Sequence, residues 1–226
     1  MDLLQQEVHL QYKLLIFDWD GTLIDSAARI VSSFQLAAQE LGYAKPSDDA
    51  VRDIIGLGLP EAIKKVMQGI SDSEVDPFRE AYSRQFLELN STPVNQFDGV
   101  SHGLHKLAEH GFRLAVATGK SRRGLNRALG DSGFQSLFET TRCADETLSK
   151  PDPLMLNQIL EETQLSVEEA VMIGDTVYDL EMAQNIGMDR IAVSYGVHSK
   201  ERLDNHKPVL MADTFNEVVS WLTEKR

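Results

Sequence analysis

The stretch KLLIFDWDGTLIDS, Lys13 to Ser26, decides how the rest of the chain is read. Leu14 to Phe17 form an unbroken apolar run, and Asp18, Asp20 and Asp25 then come within eight positions. Apolar residues without alternation suit a strand covered on both faces, as in a parallel sheet. Similar runs recur as FRLAVA (112–117), AVMIG (170–174) and RIAVS (190–194). Helical patterns fill the intervals at 101–110, 121–131, 153–164 and 176–186, two of them stopped by Gly111 and Gly187. Glycine ends a helix because it takes the left-handed conformation at little cost. Strand and helix in alternation predict an α/β fold, a doubly wound parallel sheet.

One segment breaks the alternation. From Ala27 to about Thr92 the pattern is helix after helix, with Ile30, Phe34, Ala37, Ala38 and Leu41 marking one apolar face. A second helix is predicted from about Glu74 to Leu89, with Pro46, Gly56, Gly58, Pro60 and Pro93 as breakers. The pattern predicts a core of residues 1–26 and 93–226 carrying an all-helical insertion, 27–92, of a size suited to a lid.

Composition narrows the function. A net charge of −13, from 22 basic and 35 acidic residues, argues against nucleic acid or anionic lipid as partner, since both need basic patches. Cys143 stands alone, which fits a reducing compartment and inert packing. The opening MDLLQQEVHLQYK has no basic segment followed by an apolar one, and no apolar run approaches a membrane span. A cytoplasmic, soluble protein is expected, monomer or homodimer.

In an open α/β sheet, ligands bind beyond the carboxyl ends of the strands. The strands here run into Asp18-Trp19-Asp20-Gly21-Thr22, Thr118-Gly119-Lys120-Ser121 and Gly174-Asp175-Thr176-Val177-Tyr178-Asp179, while Ser149-Lys150-Pro151 precedes a helix. Four carboxylates, a hydroxyl and an ammonium are thus predicted to converge. Clustered carboxylates repel unless a cation intervenes, and hard oxygen ligands suit Mg²⁺. Such a cation would also admit a phosphate, whose remaining oxygens Lys150 and the backbone amides after Asp18 and Thr118 could hold.

DWDGTLIDS, the Thr118 loop, Lys150 and GDTVYD stand in the order and rough spacing of the four motifs of the haloacid dehalogenase superfamily, and the chain resembles its phosphoglycolate-phosphatase-like branch from about Lys13 through IAVSYG. The resemblance implies a Rossmann-like core with a helical cap inserted after the first motif. It implies a phosphatase acting on a small-molecule phosphate ester. Asp18 would be the nucleophile that forms an aspartyl-phosphate, and Asp20 the acid that protonates the leaving alcohol and then the base for water. Asp18, the backbone carbonyl of Asp20, and Asp175 resemble the family's Mg²⁺ ligands, with Asp179 supporting the metal or Lys150. Thr118 and Lys150 would hold the phosphoryl group, helped by the amides of Trp19 and Gly119. Asp20 separates this branch from relatives that cleave carbon–halogen bonds, which lack an acid there. Two departures are visible: Gly119 stands where close relatives often carry Asn, and AQNIGM replaces the commoner AxxAGM.

Plainer readings stand beside these. TGKS invites a nucleotide P-loop, but position 114 is Leu where that motif needs Gly. Arg122 and Arg123 face either an anionic substrate tail or solvent, with solvent preferred. His102, His105 and His110 read as helix-surface residues. The Trp19 ring reads as packing, and Asp25 and Ser26 read as caps of the first inserted helix. A signalling receiver shares an acidic cluster, a Thr and a Lys-Pro, but places its phospho-acceptor after the third strand and has no use for a helical insertion. A sugar phosphomutase of the same family and a non-catalytic binding protein on the same fold remain alternatives. Substrate identity is expected in the cap, around Gly56 to Pro60, and near Tyr195 to His198.

Overall fold

The computed structural model describes residues 12–224. Most of the N-terminal stretch read above as neither leader nor span, residues 1–11, lies outside them. In chain order the elements are β1 (Leu14–Phe17), β2 (Ile24–Asp25), α1 (Ala27–Glu40), α2 (Asp48–Arg52), α3 (Leu59–Val66), α4 (Asp72–Arg84), a π-helical turn (Gln85–Leu89) and β3 (Asn95–Gln96). Then come α5 (Val100–Glu109), β4 (Arg113–Thr118), α6 (Arg122–Ser132), β5 (Thr140–Cys143), α7 (Leu154–Thr163), β6 (Ala170–Gly174), α8 (Val177–Gln184), β7 (Asp189–Val193), α9 (Lys200–Asp204), β8 (Leu210–Ala212) and α10 (Phe215–Glu224).

Six strands pair in parallel in the order β5-β4-β1-β6-β7-β8. The chain builds outward from β1 through β4 to β5, then returns to the other side of β1 as β6. That reversal beside β1 is the topological switch point where α/β sheets open a crevice. The register fixes what lines it: Phe17 lies level with Val116 on β4 and with Ile173 on β6. Asp18, Ala117 and Gly174 therefore stand side by side at the carboxyl edge of the sheet.

Leu14, Leu15, Ile16 and Phe17 are all fully buried, each contributing about 1.5–3 kcal/mol of apolar burial. They alternate between two cores, which is why no polar residue interrupts the run. Leu15 and Phe17 join Val116, Ile173 and residues of α5 and α10 on one face. Leu14 and Ile16 join Ala115, Met172, and Met155, Ile159 and Met182 of α7 and α8 on the other.

The cap is helical and has its own core. Ile30, Phe34, Ala37 and Ala38 of α1 pack on Val75, Phe78 and Ala81 of α4, with the Phe34 and Phe78 rings 4.8 Å apart. Leu41, expected on that face, is 37% exposed because α1 has ended at Glu40. The helix expected over 74–89 starts at Asp72, set by a capping box between Ser71 and Glu74, and its last turn is π-helical. The short pair β2 and β3 lies where the chain leaves the core and returns. β5, with the polar sequence TTRC, and the three-residue β8 are the sheet's edges and carry no apolar run to announce them. Among the described residues no helix is long and apolar enough to cross a membrane.

Candidate active site

Strand β1 delivers Asp18 into a site where it is 1% exposed. Lys150 reaches it from the loop before α7, its Nζ 2.6 Å from Asp18 Oδ1 and 2.6 Å from Asp179 Oδ1. Asp179 sits in the first turn of α8, where Thr176 donates to its Oδ2 from both backbone N (3.1 Å) and Oγ1 (2.7 Å). Asp175 comes just after β6 and accepts from Thr22 Oγ1 (2.9 Å) and from the backbone N of Val197 (2.9 Å). Its carboxylate lies in a glycine cradle: a Cβ on Gly21 or on Gly196 would run into Asp175, and one on Gly174 into Asp179. Gly21 also has a φ of +89°, which an L side chain rarely adopts.

Asp18, Asp175 and Asp179 each offer a carboxylate oxygen, and these oxygens lie within 4.8 Å of one another. Burial pushes the Asp18 carboxyl up to about 7, with Lys150 opposing and the charges of Asp179 and Asp20 adding. Burial raises Asp175 well above the usual carboxylate range, and Asp18 and Asp179 raise it further. Burial works against the Lys150 ammonium, yet Asp179 and Asp18 outweigh it and hold its pKa above the ordinary lysine range. Asp18 Oδ2 is buried with no hydrogen-bond partner among the described residues. Three buried acids, two of them sharing one lysine, with an orphaned oxygen, form a donor set that a divalent cation fits.

Asp20 turns away from this cluster. Ser26 Oγ donates to its Oδ1 at 2.5 Å and Lys120 Nζ stands 2.9 Å from its Oδ2. Ser26 holds the N-cap position of α1 but makes no cap hydrogen bond there, so the expected cap is replaced by this contact. Asp25 is exposed in β2 and caps nothing. Thr118 ends β4, fully buried, and accepts from the backbone N of Lys120 at 3.2 Å. Trp19 packs its ring edge-on against Phe134 and Phe138, as expected of packing. His102, His105 and His110 are exposed on or just after α5. Arg122 does not line the cleft; it is half-exposed and pairs with Glu146 and Thr141. Cys143 is buried and its thiol is pushed up to about 12 by that burial, which makes it inert.

The cap closes over these groups. A cleft of about 860 Å³ runs from Asp18 and Asp20 between Gly119 and Lys120 of the core and Leu57, Tyr82 and Phe86 of the cap. Gly58 N donates to Ser149 Oγ at 2.8 Å, and Tyr178 Oη donates to the carbonyl of Asp53 at 2.7 Å. Arg202 Nη1 stands 2.6 Å from Asp53 Oδ1. A Cβ on Gly119 would lie 2.5 Å from the Leu57 carbonyl oxygen and 2.6 Å from that of Gly56. Gly119 is therefore required by close backbone approach of the cap loop. The segment Tyr195 to His198 does not line the cleft: Tyr195 Oη donates to the Thr22 carbonyl, Val197 serves Asp175, and His198 Nδ1 accepts from Val177 N at 3.0 Å. Thr22, Ser26, Lys120 and Tyr82 are site residues that sequence reasoning misses; the quoted motifs contain the first three, and only the fold brings Tyr82 to the cleft.

The family model for haloacid dehalogenase-like hydrolases matches residues 15–193. The chain belongs to this family. Within it the chain is a phosphatase of the phosphoglycolate-phosphatase-like branch. It is 36% identical over 212 residues to the probable phosphatase IndB of Dickeya dadantii, covering 91% of each chain. It is 32% identical to the phosphoglycolate phosphatase of Vibrio cholerae, over 92% of this chain and 96% of the relative. The crystal structure of a putative haloacid dehalogenase-like hydrolase from Bacteroides fragilis superposes with a TM-score of 0.85 at 25% identity, over 92% of this chain and 99% of that one. Asp18, Asp20, Asp175 and Asp179 all lie inside the region that the family model matches.

Proposed function

We propose that this phosphatase hydrolyses small phosphate monoesters through an aspartyl-phosphate on Asp18, in a cytoplasmic setting, with 27–92 acting as a cap domain on a core formed by the rest of the chain. The observation that carries the reading is the contrast between two neighbouring carboxylates: Asp18 is fixed by Lys150 with one oxygen unpartnered, while Asp20, two residues on, is held by Ser26 and Lys120 at the floor of the cleft. The carboxylate of Asp18 attacks phosphorus and the ester P–O bond breaks. The leaving oxygen takes a proton from Asp20. Asp20 then removes a proton from water, whose oxygen attacks the same phosphorus, the bond to Asp18 breaks, and inorganic phosphate leaves. Thr118, Lys150 and the amides of Trp19 and Gly119 would hold the phosphoryl oxygens throughout.

Asp18, Asp175, Asp179 and the Asp20 carbonyl would hold Mg²⁺, which supplies charge neutralisation at the phosphoryl group. The test is phosphate release from a panel of monoesters with Mg²⁺, with EDTA, and from Asp18→Asn. Release that EDTA suppresses reversibly and that the variant lacks supports the reading. Full activity in the folded variant would overturn Asp18 as nucleophile, and full activity in EDTA would overturn the metal.

A further inference from the structure

The cleft beyond Asp20 is poorly suited to an acidic leaving group. Six carboxylates line it against four cations, and each of those cations is already paired. Lys120 is taken by Asp20 at 2.9 Å, Arg123 by Glu88 at 3.8 Å, Arg79 by Asp76 at 3.2 Å, and Arg84 by Glu40. A carboxylate or second phosphate on the leaving alcohol would enter a negative field with no unengaged cation among the residues that line the cleft to receive it.

The walls favour a different chemistry. Tyr82 and Phe86, one helical turn apart at the junction of α4 and the π-helical turn, stack at 5.8 Å with 24° between their planes. Leu57 and Leu59 line the opposite loop. The Tyr82 hydroxyl has no hydrogen-bond partner among the described residues, although it lies within the field of the Asp20 carboxylate. An unpartnered donor beside aromatic faces calls for a ligand with both an acceptor and an apolar body. The volume agrees. A cleft of about 860 Å³ is room for a ligand of drug-like size, far more than a two-carbon acid needs.

Building on the function proposed above, we propose that the preferred substrates are phosphate monoesters of an uncharged, ring-bearing alcohol, with nucleoside 5′-monophosphates as the class that fills the cleft, and that Tyr82 and Phe86 determine this specificity. The phosphate sits at Asp18, the sugar passes Asp20 and Lys120, and the ring lies along the aromatic wall with an acceptor toward the Tyr82 hydroxyl.

The experiment compares kcat/KM for uridine 5′-monophosphate, ribose 5-phosphate and 2-phosphoglycolate with Mg²⁺, in the wild type, Tyr82→Phe and Phe86→Leu. The wild type should favour uridine 5′-monophosphate over each of the others by at least about tenfold, the scale of one base stacked on an aromatic side chain. Each variant should shrink the uridine 5′-monophosphate to ribose 5-phosphate ratio by about fivefold or more. Phosphoglycolate as the fastest substrate would overturn this inference and leave the phosphatase mechanism standing. So would a preference for the nucleotide that neither variant alters. Hydrolysis of none of the three by folded protein would overturn the inference together with the function on which it rests.

Discussion

Lys120 Nζ stands 2.9 Å from Asp20 Oδ2, and the two side chains are each 11% exposed. The same ammonium lies 4.9 Å above the centre of the Phe86 ring, so one lysine joins the proposed acid of the core to the aromatic wall of the cap. Asp20 is thereby held at both oxygens, by Lys120 and by Ser26.

Removing that lysine should cost catalysis more than stability. Lys120→Met leaves a nearly buried carboxylate with Ser26 as its remaining partner, a loss of about 1–3 kcal/mol in positioning, or roughly 5- to 150-fold in rate. The expected result is a fall in kcat/KM within that range, with Ser26→Ala giving a smaller one and the melting temperature of both lowered by no more than about 10 °C, so that the folded protein is still assayed. An unchanged kcat/KM in Lys120→Met would show that the ion pair is not used in turnover.

Gly119→Ala should prop the cap open. Its new Cβ would meet two backbone carbonyls, of Gly56 and Leu57, and neither can rotate away as a side-chain tip would. The loop must then move, breaking the nearby bond from Gly58 N to Ser149 Oγ. Hydrogen exchange of the 56–60 amides should accelerate and kcat/KM fall at least about tenfold, since misplacement of about 1 Å around a substrate can cost 100-fold. Exchange at wild-type rates would mean that the loop tolerates the methyl group.

Mg²⁺ should stabilise the protein, and more so as pH rises. Burial holds the acids of Asp18 and Asp175 above their ordinary values, Asp18 at about 7, so the fold binds protons there that the unfolded chain has released. Stability of the metal-free protein therefore declines as pH rises from the unfolded value toward about 7. Metal needs those acids deprotonated and so competes with protons. The rise in melting temperature with Mg²⁺ should be larger at about pH 8 than at about pH 5, and Asp175→Asn should reduce it. A rise independent of pH would place the ion elsewhere.

Much of this was legible in the chain. The four buried strands declared themselves because strands covered on both faces are apolar throughout, and the acids could be placed because they come directly after those strands. The edge strands β5 and β8 did not, since an edge needs no apolar run on both faces and TTRC carries none. Ser26 shows the limit of local rules: its type and position fit a helix cap, yet a carboxylate six residues earlier takes its hydroxyl. Tyr82 shows another limit. Periodicity places it near the inward face of α4, but only the docking of that helix over the sheet brings its hydroxyl toward Asp20.

Lys150 tests the electrostatics of the whole site. Its ammonium is the cation shared by Asp18 and Asp179, all three side chains being at most 1% exposed. Lys150→Met fits the same space but leaves two buried carboxylates facing each other, a loss of about 3–5 kcal/mol when a buried pair is broken. The sign with pH comes from the acids. Without the lysine the folded pKa of Asp18 rises further, because Lys150 is what lowers it, so the deficit is small where that acid is protonated in variant and wild type alike and grows as pH climbs through its folded value. Urea unfolding of variant and wild type, without metal, should show a deficit clearly larger at about pH 8 than at about pH 5. A deficit equal at both would mean that Lys150 stabilises by packing its methylenes rather than by its charge.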